Sequence, residues 1–202
     1  SLCRWDEAAE NWEKALAVAP PYLRVSAAPR VHMDRARLFY SLGHYRLGKQ
    51  WVYKALDACP AEVSPGRALI LNGAAILEYS TGDYAAAARF ASECQRLIDL
   101  RSYDFLRISG LMTQASVELG GGDYRSALGK IRAAQELAVQ AGDPEELFWC
   151  EDMLGDVCRQ QRNPRRAKEH HKRALEIVEE NNLSLSERVR ATTALGLDLV
   201  AL

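Results

Sequence analysis

No run of 18 apolar residues occurs anywhere in the chain, so a hydrophobic transmembrane helix is not expected. Neither sign of charge dominates: 26 basic residues stand against 27 acidic ones, and the basic excess that non-specific nucleic-acid binding requires is missing. Charge runs that would draw the chain to a membrane surface are missing too. The five cysteines, Cys3, Cys59, Cys94, Cys150 and Cys158, are odd in number and contain no Cys-x-x-Cys pair. Neither a disulfide framework nor a zinc site follows from that pattern, and reduced thiols in a cytoplasmic protein fit it better. Strand-type alternation of useful length is also lacking.

What is present is a repeat. The segments RWDEAAENWEKALAVAP, HYRLGKQWVYKALDACP, DYAAAARFASECQRLID, DYRSALGKIRAAQELAV and NPRRAKEHHKRALEIVE align on Trp5, Tyr45, Tyr84, Tyr124 and Pro164, at spacings of 40, 39, 40 and 40. Three positions on lies a column of small residues: Ala8, Gly48, Ala87, Ala127 and Ala167. Ten positions on lies another: Ala15, Ala55, Cys94, Ala134 and Ala174. The preceding segments share the period, with Ala36, Ala75, Ala115 and Gly155 in register.

Apolar residues recur at three- and four-residue spacing, which predicts helices. Asp83 and Asp123 are placed to cap the helices after them, and Ser64-Pro65, Asp143-Pro144 and Asn163-Pro164 put a cap before a proline at the first helical position. Ser184 and Glu187 have capping-box spacing. Gly43, Gly82 and Gly122 fall where a left-handed turn is needed. Each unit therefore reads as two antiparallel helices. First helices are expected near 29–43, 64–81, 103–120, 144–161 and 186–202, and second helices near 4–19, 45–59, 84–99, 124–142 and 164–182. The expected organisation is one all-α solenoid: a split unit at 1–20, units near 29–60, 64–100, 103–142 and 144–182, and a partial unit at 184–202. In this reading Ala87 meets the first helix of its own pair, Ala91 and Cys94 face the next pair, and Tyr84 is a bulky plug at the helix end.

These columns resemble the tetratricopeptide (TPR) motif, with Gly43-His44-Tyr45, Gly82-Asp83-Tyr84 and Gly122-Asp123-Tyr124 at the turn and Pro20 and Pro60 at the terminal position. A standard TPR unit has about 34 residues, whereas this period is 39 or 40. Long-period arrays of this kind are similar to the superhelical sensor domain of MalT-type, LuxR-family bacterial regulators and related signal-transducing ATPases. The resemblance implies a right-handed superhelix of about ten helices, cut from a longer protein, whose first helices line a concave groove for an effector or a partner. The register places Arg30, Met33, Arg37 and Tyr40 on that stripe, then Leu69, Asn72, Ile76 and Tyr79, then Ser109, Met112, Ser116 and Leu119, then Trp149, Asp152, Asp156 and Arg159. The apolar members are expected to pack between helices; Arg30, Arg37, Tyr40, Asn72, Tyr79, Ser116, Trp149, Asp152, Asp156 and Arg159 are the candidate binding residues. The Lys/Asn carboxylate clamp of chaperone-tail TPRs is not there, since Met33 and Arg37 hold the corresponding places in the first full unit.

No catalytic motif emerges. The Gly120–Asp123 stretch has no Gly-Lys-Ser/Thr after it, no Gly-x-Ser-x-Gly elbow occurs, and His170 and His171 are adjacent and so point about 100° apart on a helix. His171 falls in the packing column of Trp12, Val52 and Ile131, and His170 is expected in solvent. The expectations are a non-enzyme without cofactor or metal. It would bind a peptide, protein or small effector, and a generic interaction scaffold is the alternative to a sensor. Trp5, Trp12 and Leu16 at one end, and Leu195, Leu197 and Leu199 at the other, are apolar residues that could drive a homodimer.

Overall fold

The computed structural model describes residues 4–60, 64–102 and 106–201, with the backbone alone described at 4–6, 8, 9, 13, 16 and 21–26. Among these residues are ten helices: α1 (Arg4–Val18), α2 (Pro21–Ser41), α3 (Tyr45–Ala58), α4 (Pro65–Ser80), α5 (Tyr84–Arg101), α6 (Arg107–Gly120), α7 (Tyr124–Ala141), α8 (Pro144–Gln160), α9 (Pro164–Glu180) and α10 (Leu185–Val200). Contacts divide the chain into two compact units, Ser1–Asp104 with α1–α5 and Phe105–Leu202 with α6–α10.

The caps form as expected at five helices. The side chains of Ser64, Asp83, Asp123, Asp143 and Asn163 accept backbone N–H bonds from the first turns of α4, α5, α7, α8 and α9. At α10 the outcome differs: the Ser184 hydroxyl donates to the Glu187 carboxylate and caps no backbone N–H. Gly43, Gly82 and Gly122 take φ of +75°, +86° and +81° between paired helices. At the equivalent turn before α9 the left-handed residue is Arg162, at φ +56°, where a side chain is strained.

One boundary moves substantially. The sequence reading begins a helix at Pro29, but α2 starts at Pro21 and continues through Pro29. Pro21 takes the first helical position after Pro20, where a missing N–H costs nothing. Pro29 interrupts only its own backbone bond in a helix whose other turns persist.

In the first unit α2 pairs with α3 and α4 with α5, while α4 also rests on α2 and α3; in the second, α6 pairs with α7, α8 with α9, and α10 rests on α8 and α9. The small columns lie at these seams. Ala36, Ala75, Ala87, Ala115, Ala127 and Ala167 have no exposed surface. At Gly48 an added Cβ would lie 2.9 Å from Leu77 Cδ2 and 3.1 Å from the Ala36 carbonyl oxygen, so its backbone touches both neighbouring helices. Apolar side chains fill in around the contacts, as with Met33, Val52, Ile70 and Leu77 in the first unit and Ile131, Leu154 and Val157 in the second.

Two side chains behave differently from expectation. Cys94, expected to face the next pair, donates its thiol to the Ala68 carbonyl at 3.3 Å, on the first helix of its own pair. Tyr84 is no buried plug; it is 46% exposed, and its ring lies against Tyr79 at 5.5 Å. The small residues let the helices approach until little gap is left for a ring to fill.

Ala87→Leu should overpack the α4–α5 seam and lower unfolding free energy by about 1–3 kcal/mol. Gly129→Ala, at an exposed site where an added Cβ meets nothing within 4 Å, should instead stabilise by about 0.5–1 kcal/mol. Urea titration of the two variants checks both signs.

Burial, aided by the charge of Glu93 at Cys94 and of Glu146 and Glu151 at Cys150, pushes the Cys94 thiol up to about 11 and the Cys150 thiol up to about 12. In the folded protein both stay protonated at pH 8, and iodoacetamide should modify them only after unfolding. The folded state holds these protons more tightly than the unfolded one, whose thiols ionise near pH 9.0. The corresponding stability is intact below pH 9.0 and declines as pH rises toward 12.

Candidate functional site

In the first unit the predicted stripe lies on α2 and α4. Arg30 and Arg37 are exposed, and Asn72 is half-buried. Tyr40 is exposed and lies against Tyr45, with ring centroids 5.5 Å apart. Half-buried Tyr79 makes the same contact with Tyr84, so a tyrosine pair marks the turn of two successive helix pairs. Met33, by contrast, is buried with its terminal methyl against Gly73 of α4, where an added Cβ would collide with it.

Beside this stripe lies a feature that the sequence reading missed. Glu78 is fully buried at the end of α4 and receives the Lys49 ammonium and the Tyr53 hydroxyl, each at 2.6 Å. Burial, the bond to Glu78 and its charge push the Tyr53 phenol up to about 12, which keeps it a donor. Lys49 and Tyr53 also line an open depression of about 530 Å³, together with Arg46, Gln50, Thr81 and Asp83. The signal was a lone carboxylate in the otherwise apolar run AAILEYS.

In the second unit the stripe is largely occupied by protein. Ser116 donates to the Met112 carbonyl at 3.0 Å and leans toward Met153 of α8. Asp152, expected in an open groove, is 2% exposed and receives Arg190 of α10 at 2.6 Å. The Arg190 guanidinium also lies 5.2 Å from the Trp149 ring centre and 3.6 Å from Asp156. Burial raises the Asp156 carboxyl, and Asp152 adds to the rise, while Arg190, Arg159 and His171 oppose it. Arg159 donates to Asp198 at 2.9 Å and to the Ala194 carbonyl at 3.2 Å. The physical reason for the difference is α10: packed on α9 and touching α8, it brings Arg190 and Asp198 to Asp152, Asp156 and Arg159.

His171 joins this network. It is fully buried, pairs through Nδ1 with Asp198, and lies with Nε2 3.2 Å from the Asp152 carbonyl oxygen. Its ring fills the space above Gly155, where any Cβ would collide with it. His170 is not simply solvated, because its Nδ1 is 2.8 Å from Glu151. Among the described residues, no group of three or more His, Cys, Asp or Glu side chains is arranged to hold a metal ion. No described helix is long and apolar enough to cross a membrane.

The arrangement of helix pairs matches solved structures. A signal-transduction ATPase with numerous domains and a tetratricopeptide repeat sensor, from Pyrococcus horikoshii, superposes with a TM-score of 0.69 at 14% identity, over 94% of this chain. The fold is a TPR-like array of helix pairs. The chain spans 28% of that ATPase's length. BtubC (BKLC) from P. vanneervenii matches with a TM-score of 0.67 and 18% identity, over 97% of this chain and 80% of its own. Yeast Tom70 matches with a TM-score of 0.53 and 15% identity, over 96% of this chain and 43% of its own. No family model matches the chain, and no curated protein matches it in sequence.

Within this TPR-like array, Arg30, Arg37 and Tyr40 of α2 are exposed and Asn72 and Tyr79 of α4 are half-buried, whereas Asp152 and Arg159 tie α8 to α10. Asp198→Ala would leave Arg159 and His171 without their buried partner, and should cost about 3–5 kcal/mol in chemical denaturation. Arg37→Ala, at an exposed position, should stay within about 0.5 kcal/mol of the parent.

Proposed function

We propose that this TPR-like array is the partner-binding segment of a bacterial regulator of the MalT/LuxR type, where it receives an effector and shifts the equilibrium of the larger protein. The observation that carries the reading is the contrast between stripes. On α2 and α4, Arg30, Arg37 and Tyr40 are exposed and Tyr79 is half-buried, while on α8 Asp152 is buried and half-buried Asp156 and Arg159 are engaged by Arg190 and Asp198 of α10. Exposed guanidinium groups beside tyrosine rings suit an acidic or aromatic ligand, which they would hold by charge-assisted hydrogen bonds and stacking. The 39- to 40-residue period and the likeness in fold to an ATPase with a TPR sensor support the regulatory setting. The segment would act in the cytoplasm, as a non-enzyme without cofactor. The second reading, an interaction scaffold that recruits a protein without small-molecule control, draws on the same exposed stripe and on the TPR-like fold itself.

A thermal-shift screen with sugars and metabolites separates the two. A ligand at about a hundred times its Kd stabilises by about 2.7 kcal/mol, which raises Tm by about 5 °C or more in a chain of this size. Arg37→Glu should abolish that rise without lowering the ligand-free Tm by more than about 2 °C. No response to any small molecule, combined with stoichiometric binding of a protein partner lost in Arg37→Glu, would overturn the sensor reading in favour of the scaffold.

A further inference from the structure

Gly48, Gly73 and Gly155 would each collide with a neighbour if they carried a Cβ, and Gly43, Gly82, Gly122 and Gly142 have positive φ. Gly129 has neither reason. It lies inside α7, is exposed, and an added Cβ there meets nothing within 4 Å. The equivalent positions of the other second helices carry long polar side chains: Glu10, Gln50, Arg89 and Glu169. A glycine within an exposed helix weakens it, and neither packing nor turn geometry asks for this one.

A second local cost lies beside it. Gln161 and Gly129 line the same depression, and the residue after Gln161 is Arg162, at φ +56° in the turn where the other pairs have Gly43, Gly82 and Gly122. An arginine in the left-handed region is strained. Residues that break local rules without a packing gain concentrate at functional sites.

The depression is open and holds about 660 Å³. Arg125 and Arg132 flank Gly129 in it, four residues before and three after, so about 10 Å of helix separates them. Both are exposed, and neither forms a hydrogen bond or an ion pair among the described residues. Half-buried Tyr124 and Leu128 add apolar surface, and Gln161 brings an amide from the turn between α8 and α9. Asp123, the one carboxylate in the lining, is turned to the backbone, where Oδ1 accepts the Ser126 N–H at 3.1 Å. The depression at the same register in the first unit is used differently. There Lys49 and Tyr53 hold Glu78, and Gln50 stands in the place of the glycine.

We propose that the α7 depression binds a small organic phosphate monoester, with Arg125 and Arg132 converging on the phosphate over Gly129. A side chain at 129 would stand between the two guanidinium groups, and its absence lets both reach one anion. A single arginine fork satisfies a carboxylate, whereas two forks match the three terminal oxygens and nearly double charge of a phosphate monoester. The Gln161 amide adds a neutral donor, and Leu128 and Tyr124 suit the organic part of the ligand. The volume falls within the roughly 300–1,000 Å³ of small-molecule sites. Arg162 adds a third cation next to Gln161, which gives its strained backbone a purpose. None of these residues belongs to the stripe on α2 and α4.

Phenyl phosphate, titrated into the isotope-labelled chain at constant ionic strength and well above the second phosphate pKa of about 6, should shift the Gly129 amide resonance. The shift should saturate with a Kd of roughly 0.1–1 mM, and benzoate should bind at least about tenfold more weakly. Gly129→Leu places its side chain in open space and replaces a poor helix former with a good one. It should therefore keep or raise Tm, yet weaken phenyl phosphate binding at least about tenfold. Arg132→Gln, at an exposed position, should weaken binding to a similar degree with Tm unchanged. Arg37→Glu, which tests the effector stripe, should leave phenyl phosphate binding as it is, so the two readings fail separately. No saturable shift up to about 10 mM, benzoate bound as tightly, unchanged affinity in Gly129→Leu, or loss of binding in Arg37→Glu would each overturn the proposal.

Discussion

The structure depends on backbones being allowed to touch. Two helices at roughly 8–10 Å leave no room for branched side chains at the crossing, and this chain supplies alanine or glycine there in every pair. Around each contact the larger apolar residues interlock, so the fit is set by the pair rather than by either residue alone. Gly155 under His171 is the extreme case: the glycine has no side chain because the partner has a large one. Gly73 under Met33 repeats the logic between successive receiving helices.

The same constraint decides which surface is available for binding. A position one register step from a seam is outward only if no helix lies along it. On α8 the polar stripe is engaged by α10, and its charges find partners within the protein: Asp152 with Arg190, Arg159 with Asp198 and His171 with Asp198. Such a network is expensive to desolvate and specifies one arrangement of the three helices. On α2 and α4 the stripe escapes that fate and leaves tyrosine and arginine side chains at the surface. Identical register therefore yields an exposed stripe in one unit and a structural joint in the other.

Periodicity made most of the fold legible. The forty-residue spacing located the helix pairs, and glycines and capping carboxylates located their turns, because those residues act through the backbone next to them. Local signals failed where a distant element intervened. Pro29 looks like a helix start and lies inside α2, since the stronger start is the Pro20-Pro21 pair upstream. Arg162 holds a left-handed turn that no arginine advertises; its place in the glycine column was the available signal. Asp152, Asp156 and Arg159 read as a groove because nothing near them in sequence shows that Arg190 and Asp198, some forty residues later, will engage them. Asp198 in the apolar row of Ala191 and Ala194 was the clue that a buried partner had to exist.

The claim that paired residue sizes hold these helices together is tested most directly by a double-mutant cycle at Gly155 and His171. With His171 present, Gly155→Ala should lower unfolding free energy by about 1–3 kcal/mol. In a His171→Ala background the same change should be neutral or stabilising by up to about 1 kcal/mol, because only helix propensity remains. Equal effects of Gly155→Ala in both backgrounds would contradict the account, since the glycine would then not be serving its partner.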